Sequence, residues 1–96
     1  MSETDEIKRR IDECITEMKP FTYFSHDAEV AIKSFEELKR TIENIDKKDV
    51  PSIIRGLEEG YEKSLAYSSL VPKTVENLRF IIEWLKRKAE EKVSKQ

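Results

Sequence analysis

The amino-acid sequence predicts an all-α fold, a compact antiparallel bundle of about four helices. Apolar residues recur every three or four positions along four stretches, and prolines or short polar turns separate these stretches. No stretch shows the alternation of apolar and polar residues that is typical of a strand. Short connections favour antiparallel neighbours, and 96 residues suffice for one domain. We therefore expect a single helical domain over residues 1–96.

The first two helices are predicted over residues 5–18 and 25–45. Pro20 ends the first helix, because a proline disfavours helical backbone in the residue before it. Ser25 is a suitable N-cap for the second helix. The acidic residues that follow it are in the first turn, where the positive end of the helix dipole stabilises negative charge. The apolar side chains of the second helix, with Phe35 at their centre, form one continuous face.

The third and fourth helices are predicted over residues 51–69 and 73–92. Pro51 falls in the first turn of the third helix, where its missing N–H would have no helical partner in any case. Pro72 separates this helix from the last one. The connection between the second and third helices is a polar turn in which two lysines stand between two acids, residues 46–49.

Charged residues make up 40% of the chain, well above the usual quarter, and the net charge is −2. With the regular apolar spacing, this charge indicates solvated helix surfaces rather than disorder. The balance of acids and bases offers no general attraction to nucleic acid. Lys and Glu dominate while Gln and Asn are scarce, a composition typical of thermophilic proteins and also of helix-rich chains.

Cys14 is the only cysteine, so an intrachain disulfide is impossible, which fits a reducing compartment. The first residues are charged and lack the apolar segment of a signal peptide, and no apolar run is long enough to span a bilayer. We therefore expect a soluble, cytoplasmic protein that has no contact with membranes.

Gly56 and Gly60 are the only glycines, and both fall inside the third predicted helix. Each glycine costs about 1 kcal/mol relative to alanine in a helix interior. With Ser64 they form a series of small residues at every fourth position, which would allow another helix to approach closely. This close packing could lie within the domain or between subunits; alternatively, Gly60 divides the segment into two short helices. We favour a continuous helix.

The fourth helix carries apolar residues on two sides. Phe80 and Trp84 lie nearly opposite the core face, and Arg87 and Lys88 continue the same surface. A helix that is apolar on two sides is either enclosed within its bundle or meets another chain. Trp and Arg are enriched at the centres of protein interfaces. These four residues are our candidate interface, with an internal position for Trp84 as the alternative.

No convergent catalytic set or metal cluster is evident in the sequence. His26 is the only histidine, and with a single cysteine it cannot complete a zinc site. Ser25, His26 and Asp27 are adjacent at a predicted helix start, whereas the members of a catalytic triad converge from separate segments. Cys14 lies on an apolar stripe and resembles a core residue. We expect no enzymatic activity and no cofactor.

The leading hypothesis is a small helical module that acts by self-association, most simply as a homodimer, or by binding another protein. The alternative is a nucleic-acid-binding accessory protein that uses two basic clusters. These clusters are Lys8, Arg9 and Arg10, and Lys86, Arg87 and Lys88. Acidic residues surround both clusters and would weaken contacts to phosphate. Nucleic acid is therefore the less favoured partner.

Overall fold

A computed structural model describes the backbone of residues 2–94 and the side chains of residues 2–90. It confirms the all-α fold, with no strand between residues 2 and 94. The four α-helices are α1 (Glu3–Met18), α2 (His26–Thr41), α3 (Val50–Leu65) and α4 (Pro72–Ser94). Two short 3₁₀ turns, Lys19–Tyr23 and Lys47–Asp49, precede α2 and α3.

Local sequence signals explain where the first two helices begin. The Ser2 hydroxyl accepts a hydrogen bond from the Asp5 N–H at 3.1 Å, and the Asp5 carboxylate accepts one from the Ser2 N–H at 3.4 Å. This reciprocal pair is a capping box. Ser25 caps α2 in the simpler way, accepting from the Ala28 N–H at 3.2 Å.

The C-terminal ends of α2 and α3 differ most from the expected bounds. α2 ends at Thr41 rather than near residue 45, and α3 ends at Leu65 rather than near residue 69. The Thr41 hydroxyl donates to the Glu37 carbonyl at 3.2 Å, a local bond that competes with the helical ladder. After Leu65, the Tyr67 N–H donates to the Ser64 carbonyl, so the backbone tightens into turns.

The helices pack in the spatial order α2–α1–α4–α3. α1 contacts both α2 and α4, and α4 contacts both α1 and α3. α2 and α3 follow each other in sequence but make almost no contact. The molecule is elongated, with principal extents of 47 × 26 × 19 Å. The bundle is therefore open along one side, between α2 and α3.

The core lies where α1 and α4 meet their neighbours. Its buried side chains are Ile7, Ile11, Cys14, Phe35, Leu38, Ile42, Leu78, Ile81, Trp84 and Leu85. Within α3, all of which the structure describes, Ser64 alone is buried. The apolar residues of α3 pack against the core from outside and remain half-buried. The central pair α1 and α4 therefore contributes most of the buried apolar surface.

Candidate interaction surface

The candidate interface required Trp84 to face outward, but in the structure this side chain does not. Only 7% of its surface is exposed, and it packs in the core cluster. Its indole N–H points to the Glu3 carboxylate of α1 at 3.4 Å. The structure contradicts the outward orientation because α4 is enclosed between two neighbouring helices. The two-sided apolar pattern of α4 is explained by this enclosure, the alternative considered for Trp84.

Phe80 lies on the same side of α4 and keeps 37% of its surface exposed. The Arg10 guanidinium of α1 lies 3.8 Å from the centre of its ring. A guanidinium stacked on an aromatic face gains electrostatic and dispersion energy, so part of the ring already has a partner. Phe80 is thus half covered by α1 and is a poorer interface centre than the sequence suggested.

A series of polar residues on α1 runs along this side of α4. Glu13 accepts from the Asn77 side-chain amide at 3.0 Å, and Arg10 donates to the Asn77 carbonyl oxygen at 2.8 Å. Glu17 accepts from the backbone N–H groups of Lys73 and Thr74 at 3.0 and 2.6 Å. This carboxylate from α1 caps the N-terminus of α4, where the helix dipole favours negative charge.

Lys88 also belongs to this contact between α1 and α4. Its ammonium group lies 2.9 Å from the Glu3 carboxylate and 5.9 Å from the centre of the Trp84 ring. Hydrogen bonds from Lys88 and from the Trp84 indole hold the pKa of the Glu3 carboxyl below its ordinary value. Of the four residues predicted to form the interface, Phe80 and Arg87 are exposed, Lys88 is partly buried and Trp84 is buried.

The glycines of α3 do not mark a close helix crossing within the described part of the chain. A Cβ atom added at Gly56 or at Gly60 would meet nothing within 4 Å. α3 runs unbroken through both glycines, as expected. Ser64 is buried and donates its hydroxyl to the Tyr61 carbonyl at 2.7 Å. The close packing expected at the glycines is therefore absent inside the domain, and packing between subunits stays a prediction.

An apolar groove lies between α2 and α3, on the open side of the bundle. We call it the α2–α3 groove. Five aliphatic, four charged and four uncharged polar side chains line it, together with one glycine. Its lining residues are Val30, Lys33, Ser34, Glu37, Leu38, Thr41, Asn44, Ile45, Asp46, Asp49, Ser52, Ile53, Gly56 and Leu57. The sequence alone does not reveal this groove, because amphipathic spacing does not tell which helices are neighbours.

Exposed apolar side chains are also found at the end of the bundle where α1 joins α2 and α3 joins α4. Tyr23 is 92% exposed and Phe24 is 77% exposed. The ring of Phe24 packs edge-on against Phe21, with 5.8 Å between their centres. Tyr67 and Leu70 are exposed in the connection before α4. At this end, a hydrogen bond from the Thr74 N–H to the Glu17 carboxylate links α4 to α1.

The two basic clusters are largely neutralised by neighbouring acids. Lys8 pairs with Glu43, which follows α2, and Arg9 bonds to Glu6 and Glu13 on its own helix. In the second cluster, Lys86 lies 2.9 Å from Glu58 of α3. Such pairing leaves little local positive potential for phosphate groups. The geometry does not favour the nucleic-acid alternative.

Residues with chemical potential are dispersed or shielded. Cys14 has no exposed surface, and burial raises the pKa of its thiol to about 12. His26 is exposed at the start of α2, 3.8 Å from Glu29. Among the residues that the structure describes, no three histidine, cysteine or carboxylate side chains are grouped to hold a metal ion.

Comparison with known proteins identifies no relative: no protein-family model, no curated protein and no solved structure matches this chain. None of the helices, as far as they are described, is long and apolar enough to cross a membrane.

Proposed function

We propose that this protein is a non-enzymatic helical module that binds another polypeptide chain in the α2–α3 groove. The observation that supports the proposal is the open side of the bundle. α2 and α3 each pack against one central helix, and their facing surfaces form an apolar groove with no occupant in the chain as described. Helix-in-groove binding is a common way to recognise an amphipathic helix.

The chemistry of the groove supports a polypeptide rather than a small substrate. Its walls carry aliphatic side chains such as Val30 and Ile53, and Gly56 leaves space for the backbone of an incoming helix. The charged residues that line the groove are all exposed to solvent, as charged residues in the polar rim of a protein interface are. The single buried thiol at Cys14 is compatible with a cytoplasmic location.

Position-specific photo-crosslinking in living cells tests the proposal. A benzophenone side chain at Ser52, which is exposed in the groove, should give one discrete crosslinked product. The same group at Glu62, which is exposed about 80° further round α3 and does not line the groove, is the matched control and should give none. Val30 is half exposed in the groove, so Val30→Asp should abolish the Ser52 product without unfolding the protein.

The mass of the product distinguishes a second copy of this chain from a different protein, and both outcomes support binding in the groove. Equal crosslinking from Ser52 and Glu62 would contradict the proposal, as would the absence of any product from Ser52. A Ser52 product that persists in the Val30→Asp protein would also place the contact elsewhere.

A further inference from the structure

The outer edge of the α2–α3 groove carries a pattern that is complementary to itself. Along α3, Asp49 and Lys63 lie seven residues on either side of Gly56, and Ser52 and Gly60 lie four residues on either side. At 100° per residue, Asp49, Gly56, Gly60 and Lys63 fall within about 60° of arc. An acid, a series of small residues and a base therefore follow one line along the helix.

The geometry points to a second copy of this chain as the occupant of the groove, an inference that rests on the proposed function. A two-fold axis at Gly56 would cross α3 with the α3 of the partner in antiparallel orientation. Small residues would meet at the centre of this crossing, where the absence of side chains permits close approach. Asp49 of each copy would face the partner's Lys63, which gives two equivalent ion pairs at the rim.

The charged ends of this line form no close ion pair within the described part of the chain, although Lys63 shares a surface depression with Glu58, Glu59 and Glu62. Among the described residues, neither Asp49 nor Lys63 has an oppositely charged group within 4.0 Å. This differs from the bases of α1 and from Lys86, which are paired. Complementary charges fix the register and orientation of an interface more than they add affinity. The line thus favours one antiparallel register centred on Gly56.

α2 offers a second complementary pair on the opposite wall of the groove. Lys33 and Glu37 both line the groove and lie one helical turn apart. α2 and α3 run in opposite directions, so the turn that holds these two residues lies across the groove from the middle of α3. A partner α3 that lies in the groove would pass beside Lys33 and Glu37, so both residues would contact this helix. Both walls are therefore compatible with a single symmetry operation, the closed arrangement that is commonest among small oligomers.

Sedimentation equilibrium of the purified full chain tests this inference. The wild-type protein should be a dimer at high micromolar concentration. Gly56→Leu should leave it monomeric, because the leucine fills the space into which the partner helix would pack. The fold of the monomer should survive, since a Cβ at this position has no neighbour within 4 Å. Glu62→Leu places the same side chain on an exposed position of α3 about 120° from Gly56; it is the matched control and should still dimerise.

Charge reversal tests the register independently. Asp49→Lys and Lys63→Asp should each raise the dimer dissociation constant by about tenfold, because each creates two like-charge contacts per dimer. The double variant should return to within about twofold of the wild type. Circular dichroism of each variant checks that the helices remain formed.

Three outcomes would overturn the inference. The first is a wild type that stays monomeric at high micromolar concentration, the second a dimer that Gly56→Leu does not weaken, and the third a double variant no tighter than the single ones. If the only Ser52 crosslink has a mass other than twice that of the chain, the groove binds a foreign protein. Dimer formation would then be refuted while the proposed function stands.

Discussion

At the scale of single residues, Trp84 shows how one contact changes the meaning of a sequence pattern. Its position opposite the core face suggested an exposed surface, yet α1 covers it and Glu3 accepts its indole N–H. Phe80, one turn earlier, is half covered by Arg10. α1 covers the second apolar side of α4 with a row of polar residues. This side of α4 therefore packs within the chain.

Trp84→Ala should therefore lower the free energy of unfolding by about 3–5 kcal/mol, the usual cost of removing a buried tryptophan. The loss should be the same at every protein concentration, because the side chain stabilises the monomer. Urea denaturation at two concentrations that differ a hundredfold measures it. Arg87→Ala, a surface change on the same helix, is the control and should have little effect. A Trp84→Ala protein that is as stable as the wild type but no longer self-associates would contradict this assignment.

Cys14 provides a pH-dependent prediction. Its thiol has an ordinary pKa of 9.0, and burial raises this pKa to about 12 in the folded protein. Between these values the unfolded chain loses the thiol proton while the folded chain retains it. The contribution of Cys14 to stability is fully present below about pH 9. It should fall as the pH rises, at most by about 1.4 kcal/mol per pH unit.

Urea denaturation from pH 8 to pH 11 measures this dependence, with Cys14→Ala as the control for the lysines and tyrosines that titrate in the same range. The difference between the two proteins should decrease as the pH rises. A constant difference would show that the thiol titrates equally in the folded and unfolded chains.

At the scale of helices, local sequence signals predicted where the helices form better than they predicted how the helices pack together. The four helices and the cap at Ser25 follow from short-range patterns, and the structure confirms them. The early ends of α2 and α3 depend on hydrogen bonds of Thr41 and Ser64 to nearby carbonyls. Such bonds compete with helix extension by small energies that residue spacing does not reveal.

The α2–α3 groove could not be predicted in the same way. An amphipathic helix shows which of its faces is buried, but not which helix buries it. The order α2–α1–α4–α3 depends on long-range contacts such as that between Glu17 and the first turn of α4. The spacing of Asp49, Gly56 and Lys63 can be read from the sequence. The open space around Gly56, which the inferred contact with a second copy requires, appears only in the structure.

The cap that α1 provides for α4 can be tested directly. Glu17→Ala removes the acceptor for two backbone N–H groups and should lower the free energy of unfolding by about 1–2 kcal/mol, as for other lost N-caps. Glu17→Gln keeps one acceptor oxygen and should lose less. Denaturation of both variants at neutral pH measures the difference. If Glu17→Ala is no less stable than Glu17→Gln, the N-terminus of α4 does not depend on this contact.

At the scale of the whole molecule, the open bundle implies unequal stability among its helices. α1 and α4 contact two neighbours each and share the most deeply buried residues, including Ile7, Ile11 and Ile81. α3 contacts α4 on one side and contributes one buried residue, Ser64. Regions with few buried contacts open locally at a lower free energy than the core. α3 should therefore be the helix that separates most readily from the rest of the monomer.

Native-state hydrogen exchange tests this unequal stability and connects it to self-association. In dilute solution, the amides of α3 should exchange through openings of lower free energy than those of α1 and α4. Raising the protein concentration should protect α3 selectively, because a second copy on the α2–α3 groove would bury its open side. Gly56→Leu should exchange like the dilute wild type at every concentration. If α3 were as protected as α1 in dilute solution, or gained no protection on concentration, the open side of the bundle would not be the site of self-association.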